Sequence, residues 1–175
     1  AIILIGYSDW KKGEARMSEE SKEPATGVEH EVGHEADVLV NQTGRCLCGA
    51  ISFTAKQVDS GMHACHCSNC RRWTGAPAIA ANASDVVFEG AAYLGVYQSS
   101  DWGERGFCRK CGSSLFFRLQ GSNGYILNRG SFDNPDLLKI VGEIYIDEKP
   151  SSYDFQGDQP KQTGEEFLAS MGVST

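Results

Sequence analysis

The chain reads as a mostly β domain with few short helices, its strands stapled by bound metal. Three observations carry that expectation. From Val38 onward, short segments rich in β-branched and aromatic residues are separated by glycine and asparagine breaks. No stretch has the three-to-four residue apolar period of a long amphipathic helix. All seven cysteines fall into three tight clusters, Cys46-x-Cys48, Cys65-x-Cys67-x-x-Cys70 and Cys108-x-x-Cys111.

The strand signals can be followed in order. Residues Ala50 to Ala55 alternate polar and apolar, as a half-buried strand does. Further strands are predicted over Pro77 to Asn82, Val86 to Phe88, Tyr93 to Gln98, Ser114 to Leu119, Tyr125 to Asn128 and Glu143 to Ile146. Gly121-Ser122-Asn123-Gly124, between two of them, suits a hairpin loop. Short helices are expected at Ser68 to Trp73, Asp136 to Lys139 and Glu165 to Met171. The organisation predicted is a leader and tail over 1–38, a folded domain over 39–160 and a C-terminal tail over 161–175 that carries the last of these helices.

Charge is concentrated before the folded part. Between Met17 and Val38 seven acids face Lys22 alone, a net of −6, whereas residues 39–175 carry 12 basic and 14 acidic side chains, a net of −2. The acidic stretch lacks large apolar residues and periodicity, which predicts disorder. Residues 1–16 precede Met17, a natural start, and read as an appended leader or an upstream reading frame. A near-neutral domain without a basic stripe argues against direct nucleic-acid binding. No apolar run approaches membrane length, and no charged n-region precedes Ala1 to Ile5, so no membrane role and a cytoplasmic location are expected.

Disulfides are the competing use of so many cysteines. Seven is odd, a C-x-C pair rarely closes on itself, and no secretory signal supports an oxidising compartment. Cysteines two or three positions apart can turn both sulfurs toward one ion, and soft thiolates select zinc. Cys46-Leu47-Cys48-Gly49 and Cys108-Arg109-Lys110-Cys111-Gly112 have the form of knuckles, in which a glycine just past the second ligand takes a left-handed turn. Together they make a set of four that closes a loop of about sixty residues, a structural zinc site.

Cys65, Cys67 and Cys70 make a set of three at the mouth of a short helix. A fourth ligand is open to water, His63, His66 or an incoming thiol; the alternative is that a protein ligand closes this site too and both are structural. Zinc with three thiolates carries net −1 and is a weak generator of hydroxide. It favours keeping another thiol deprotonated, so chemistry at sulfur is expected. Near it, Arg71 and Arg72 are candidates to meet a substrate carboxylate, and Ser68 and Asn69 to hydrogen-bond a thiolate sulfur.

Gly44-Arg45-Cys46-Leu47-Cys48-Gly49-Ala50-Ile51, Cys65-His66-Cys67-Ser68-Asn69-Cys70-Arg71-Arg72 with Thr74-Gly75-Ala76, Arg105-Gly106-Phe107-Cys108-Arg109-Lys110-Cys111-Gly112-Ser113 and Gly130-Ser131-Phe132-Asp133 together resemble the glutathione-dependent formaldehyde-activating enzyme family. That family also contains the centromere protein V-like proteins, which are associated with chromatin. The resemblance runs in order from about Gly44 to Tyr153. It implies an Mss4-like, tent-like fold of zinc-stapled β-sheets, two zinc ions per chain, and the ligand sets reached above from spacing. It also implies a carbon–sulfur lyase that joins glutathione to formaldehyde as S-(hydroxymethyl)glutathione. Where many members have a histidine followed by apolar residues, and an aromatic residue further on, this chain has Glu143-Ile144-Tyr145 and Tyr153. The expected function is addition of a glutathione-like thiol to a small aldehyde, or its release. The alternatives are a non-catalytic thiol carrier and a zinc-scaffolded interaction module.

Overall fold

The computed structural model describes residues 38–172. The expected leader and acidic tail before Val38 lie outside the described residues. Nine strands form one mixed sheet: β1 (Leu39–Arg45), β2 (Ser52–Cys65), β3 (Ala78–Glu89), β4 (Leu94–Gln98), β5 (Gly103–Cys108), β6 (Ser114–Leu119), β7 (Tyr125–Asn128), β8 (Lys139–Ile144) and β9 (Lys161–Gln162). Two α-helices accompany it, α1 (Ser68–Thr74) and α2 (Gly164–Ser170). The mostly β expectation is met. No helix among the described residues is long and apolar enough to cross a membrane.

The sheet runs β4-β5-β6-β7-β3-β2-β8-β9, with β1 also on β2. β2 is the spine. Its first half pairs antiparallel with β1 (Thr43 opposite Thr54) and its second half pairs parallel with β8 (Cys65 opposite Ile144), while β3 lies along its other edge. Buried Phe53, Phe116, Leu115, Leu127, Ile51, Val58 and Met62 form the core with Phe132 and Leu138. Phe88 tilts against both Phe53 and Phe116, at centroid separations of 5.6 and 5.3 Å.

The expected strands Ser114–Leu119 and Tyr125–Asn128 form as read, joined by the Gly121–Gly124 loop. Pro77–Asn82 and Val86–Phe88 are halves of the single strand β3, which passes through Asp85 in a left-handed conformation (φ 52°). The last expected strand begins earlier and stops at Ile144, because Tyr145 turns left-handed (φ 57°) and starts a 3-10 turn over Ile146–Glu148. The helix expected at Asp136–Lys139 is a single 3-10 turn, Pro135–Leu137.

Strands β1 and β5 escaped the sequence reading for one physical reason. Their inward positions are not apolar: Gln42 and Gly44 are the buried residues of β1, while Gly103, Arg105, Gly106 and Cys108 are those of β5. Gly106 is obligatory there, since a Cβ would stand 2.1 Å from the Phe116 ring.

Candidate metal centre

The first cysteine group is built by two turns. Cys46 and Cys48 follow β1, Cys108 ends β5, and Cys111 closes the next turn, with Gly49 and Gly112 both left-handed (φ 72° and 78°) as the knuckle form requires. Ser113 ties the knuckles together. Its Oγ accepts from the Leu47 N–H at 3.0 Å and lies 3.2 Å from Cys111 Sγ, and the Ile51 N–H donates to Cys46 Sγ at 3.3 Å. The Cys111 thiol is drawn down to about 5 by the Ser113 hydroxyl, with the Ser113 and Cys48 backbone adding to it.

Four strand spacings separate β2 from β5 in the sheet order, about 19 Å if the sheet were flat. Yet Cys48 Sγ is 3.9 Å from Cys108 Sγ and 3.6 Å from Cys46 Sγ. The sheet therefore curls until the turn between β1 and β2 meets the end of β5 at sulfur. Four sulfurs about 2.3 Å from one tetrahedral ion would stand about 3.8 Å apart, so this group fits zinc without rearrangement. All seven cysteines are free thiols, which removes the disulfide alternative within the described residues.

The second group, Cys65, Cys67 and Cys70, also has its sulfurs within 4.8 Å of one another. Cys65 ends β2. Cys67 is the N-cap of α1, its sulfur accepting from the Cys70 N–H at 3.4 Å, and Gly75 closes the helix in the left-handed region (φ 76°). Contacts from the Cys65 and Cys70 thiols, and then the backbone N–H groups of Cys70 and Asn69, hold Cys67 down to about 2. Cys65, which hydrogen-bonds into that sulfur, is pushed up in turn. No fourth His, Cys, Asp or Glu joins these three among the described residues.

His66 is not a ligand. Its ring is fully buried, with Nε2 at 2.9 Å from Glu143 Oε2 and Nδ1 at 2.8 Å from the Tyr153 hydroxyl. Glu143 and Tyr153, far along the chain, thus clamp one histidine from either side. Glu143, also fully buried, takes a further bond from Gln159 at 2.9 Å and lies 3.5 Å from Lys161 Nζ. The His66 backbone is held as well: its N–H donates to Ile144 O at 3.0 Å and its carbonyl accepts from Arg71 Nε at 2.8 Å. His63 is likewise outside the cysteine group, and burial pushes its imidazole below the ordinary range.

Of the expected substrate contacts, the Ser68 N–H is used by Glu148 Oε2 at 2.7 Å, and the Asn69 side chain is exposed. Arg71 and Arg72, with Pro150, Ser152 and Tyr153, line a cleft of about 440 Å³. Neither arginine has a carboxylate partner among the described residues.

The sequence reading gave no role to Arg105. This β5 residue is 8% exposed and has no carboxylate partner among the described residues. Its Nη2 donates to Cys70 Sγ at 3.9 Å, and its guanidinium lies over Phe117 and Trp73, 5.2 and 5.9 Å from the ring centroids. A buried cation needs a countercharge. The anion within reach is a thiolate, which is the form cysteine takes when it holds a metal. Only its place in β5, beside the C-x-x-C turn, pointed to Arg105.

The sequence profile of the glutathione-dependent formaldehyde-activating enzyme matches residues 41–148. Among curated relatives, an uncharacterized lyase of Schizosaccharomyces pombe is 34% identical over 131 residues, 73% of this chain and 95% of its own length. A Halomonas elongata protein, named provisionally as a glutathione-dependent formaldehyde-activating enzyme, is 34% identical over 83 residues, 42% of this chain and 53% of its own. A solved Rhodobacter sphaeroides protein superposes with a TM-score of 0.47 at 31% identity, over 56% of this chain and 96% of that one. With more than half of its residues matched to the profile, including all seven cysteines of both groups, this chain belongs to the glutathione-dependent formaldehyde-activating enzyme family.

Proposed function

We propose that this chain is a zinc-dependent carbon–sulfur lyase that holds a glutathione-like thiol at Cys65, Cys67 and Cys70 and adds it to, or releases it from, a small aldehyde such as formaldehyde. Cys46, Cys48, Cys108 and Cys111 hold a second, structural zinc ion. The observation that carries this reading is a trio of cysteines that no fourth protein ligand among the described residues completes, although a histidine lies between two of them. Zinc bound by the trio supplies positive charge that keeps a substrate thiol deprotonated near neutral pH.

The protein's own groups do the rest. Arg105 offsets the negative charge of the trio from one side. The Arg71–Arg72 cleft suits the carboxylates that a glutathione-like thiol carries. In the forward direction the sulfur lone pair attacks the carbonyl carbon, a carbon–sulfur bond forms, and the carbon–oxygen π pair moves to oxygen. That oxygen gains one proton from solvent, replacing the one the thiol released. Positioning sulfur and carbonyl in contact supplies the rate gain. A cytoplasmic location is part of the proposal, since seven free thiols suit a reducing compartment.

The test is cobalt substitution with a glutathione titration, followed by exchange NMR of hydroxymethylglutathione formation. A saturable spectral change affecting half the metal, with exchange faster than without protein, supports the enzyme. Binding without acceleration identifies a thiol carrier instead, and a flat spectrum refutes both.

A further inference from the structure

Tyr145 sits in a backbone conformation that a bulky side chain rarely adopts. Its φ and ψ are 57° and 45°, one of two non-glycine residues with positive φ among the described residues. Such outliers persist only where the surroundings impose them, and they concentrate at functional sites. Here the surroundings are specific. Ile144, the preceding residue, is opposite Cys65 in the parallel β2–β8 pair and accepts the His66 N–H. An extended residue at 145 would continue the strand past the cysteine trio; the left-handed turn instead ends the strand there.

The ring is then wedged in place by α2. Gly164, the first residue of that helix, leaves room for it, since a Cβ there would come within 2.8 Å of Tyr145 Cδ1. Phe167 packs on it at a centroid distance of 5.8 Å. The helix is itself anchored to the same turn, because the Gly164 N–H donates to Asp147 Oδ1 at 2.8 Å, and Glu148 from that turn binds the Ser68 N–H. The turn that begins at Tyr145 therefore lies against the cysteine trio, with Ile144 opposite Cys65 and Glu148 holding the N–H of Ser68, the residue after Cys67.

We propose that Tyr145 is a catalytic residue of this centre, donating its hydroxyl hydrogen bond to the carbonyl oxygen of the aldehyde as the carbon–sulfur bond forms. This inference rests on the lyase reading above. As the π electron pair moves to oxygen, the phenol O–H stabilises the developing charge; the proton retained on oxygen in the product comes from solvent, and in the reverse direction it returns there. The phenol keeps its own proton throughout. Donors fixed before reaction act at low reorganisation cost, which gives a reason for holding one aromatic residue in a strained turn.

The experiment compares wild type with Tyr145→Phe, loaded with metal at both sites, by exchange NMR of glutathione with formaldehyde. Phenylalanine keeps the contacts with Gly164 and Phe167, so thermal stability and metal content are expected to stay as in wild type. The rate above the uncatalysed reaction is expected to fall at least about tenfold, while the midpoint of the glutathione-induced cobalt spectral change stays the same. Gly164→Ala, which displaces the ring but keeps the hydroxyl, is expected to lower the rate as well, and to have no further effect in the Tyr145→Phe background. An unchanged rate in Tyr145→Phe overturns this assignment and leaves the lyase reading standing. No acceleration by wild type overturns the lyase reading and the assignment with it.

Discussion

Replacing Arg105 by methionine separates a metal-supporting role from a packing role, because the two have opposite signs. Methionine keeps an unbranched stem between Trp73 and Phe117 but carries no charge. A hydrogen bond to an ionised group is worth about 1.5–3 kcal/mol, and the 3.9 Å reach to Cys70 Sγ places this one at the lower end. At about 1.4 kcal/mol per decade, zinc should bind the Cys65–Cys67–Cys70 group about tenfold more weakly. The first group shares no contact with Arg105, so its affinity should not move. Stability with only the first group loaded should hold or rise, since a buried cation without a carboxylate partner has been removed. Competition against a chromophoric chelator, read as ions released per chain, measures the first effect; thermal melts of the singly loaded protein measure the second. Equal loss at both sites, or unchanged affinity at the trio, would refute the reasoning.

The two cysteine groups should respond differently to serine substitution. Cys65→Ser, Cys67→Ser or Cys70→Ser should abolish activity and leave far-ultraviolet circular dichroism nearly unchanged, while Cys46→Ser or Cys108→Ser should unfold the chain, because structural zinc contributes about 10–16 kcal/mol in small modules. Unfolding by both classes alike would contradict the division. Glu143→Leu leaves His66 Nε2 buried without its partner, and urea denaturation should show a loss of about 2–3 kcal/mol; a loss near zero would mean the clamp carries no stability. Burial depresses the His63 pKa below its model-compound value of 6.5, so the folded protein binds fewer protons than the unfolded chain. That contribution is present above about pH 6.5 and is lost as pH falls through the depressed value, which should appear as a falling melting temperature. His63→Gln should flatten that acid limb, and an identical slope in the variant would count against it.

The two cysteine groups were legible in the chain because chelating patterns are written in local spacing. C-x-C, C-x-C-x-x-C and C-x-x-C followed by glycine define which sulfurs can share an ion, and Gly49 and Gly112 take the left-handed turns that pattern demands. The hairpin strands around Gly121–Gly124 were equally local, with turn residues between alternating segments. What the sequence could not display were properties that depend on neighbours distant along the chain. The inward faces of β1 and β5 carry glutamine, glycine and arginine, so no two-residue apolar period announced them. Arg105 gains its role only when a curled sheet brings β5 beside Cys70, thirty-five residues earlier in the chain. Glu143 and Tyr153 become partners of His66 only across separations of 77 and 87 residues. The sequence by itself therefore determined which cysteines form the two groups able to hold a metal ion, because ligand spacing is a property of a few consecutive residues. Only the tertiary structure decided which histidine turns away from the cysteine trio, which cation lies beside its sulfurs and where a strained turn ends the neighbouring strand, because buried charges and strained turns find their partners through the fold.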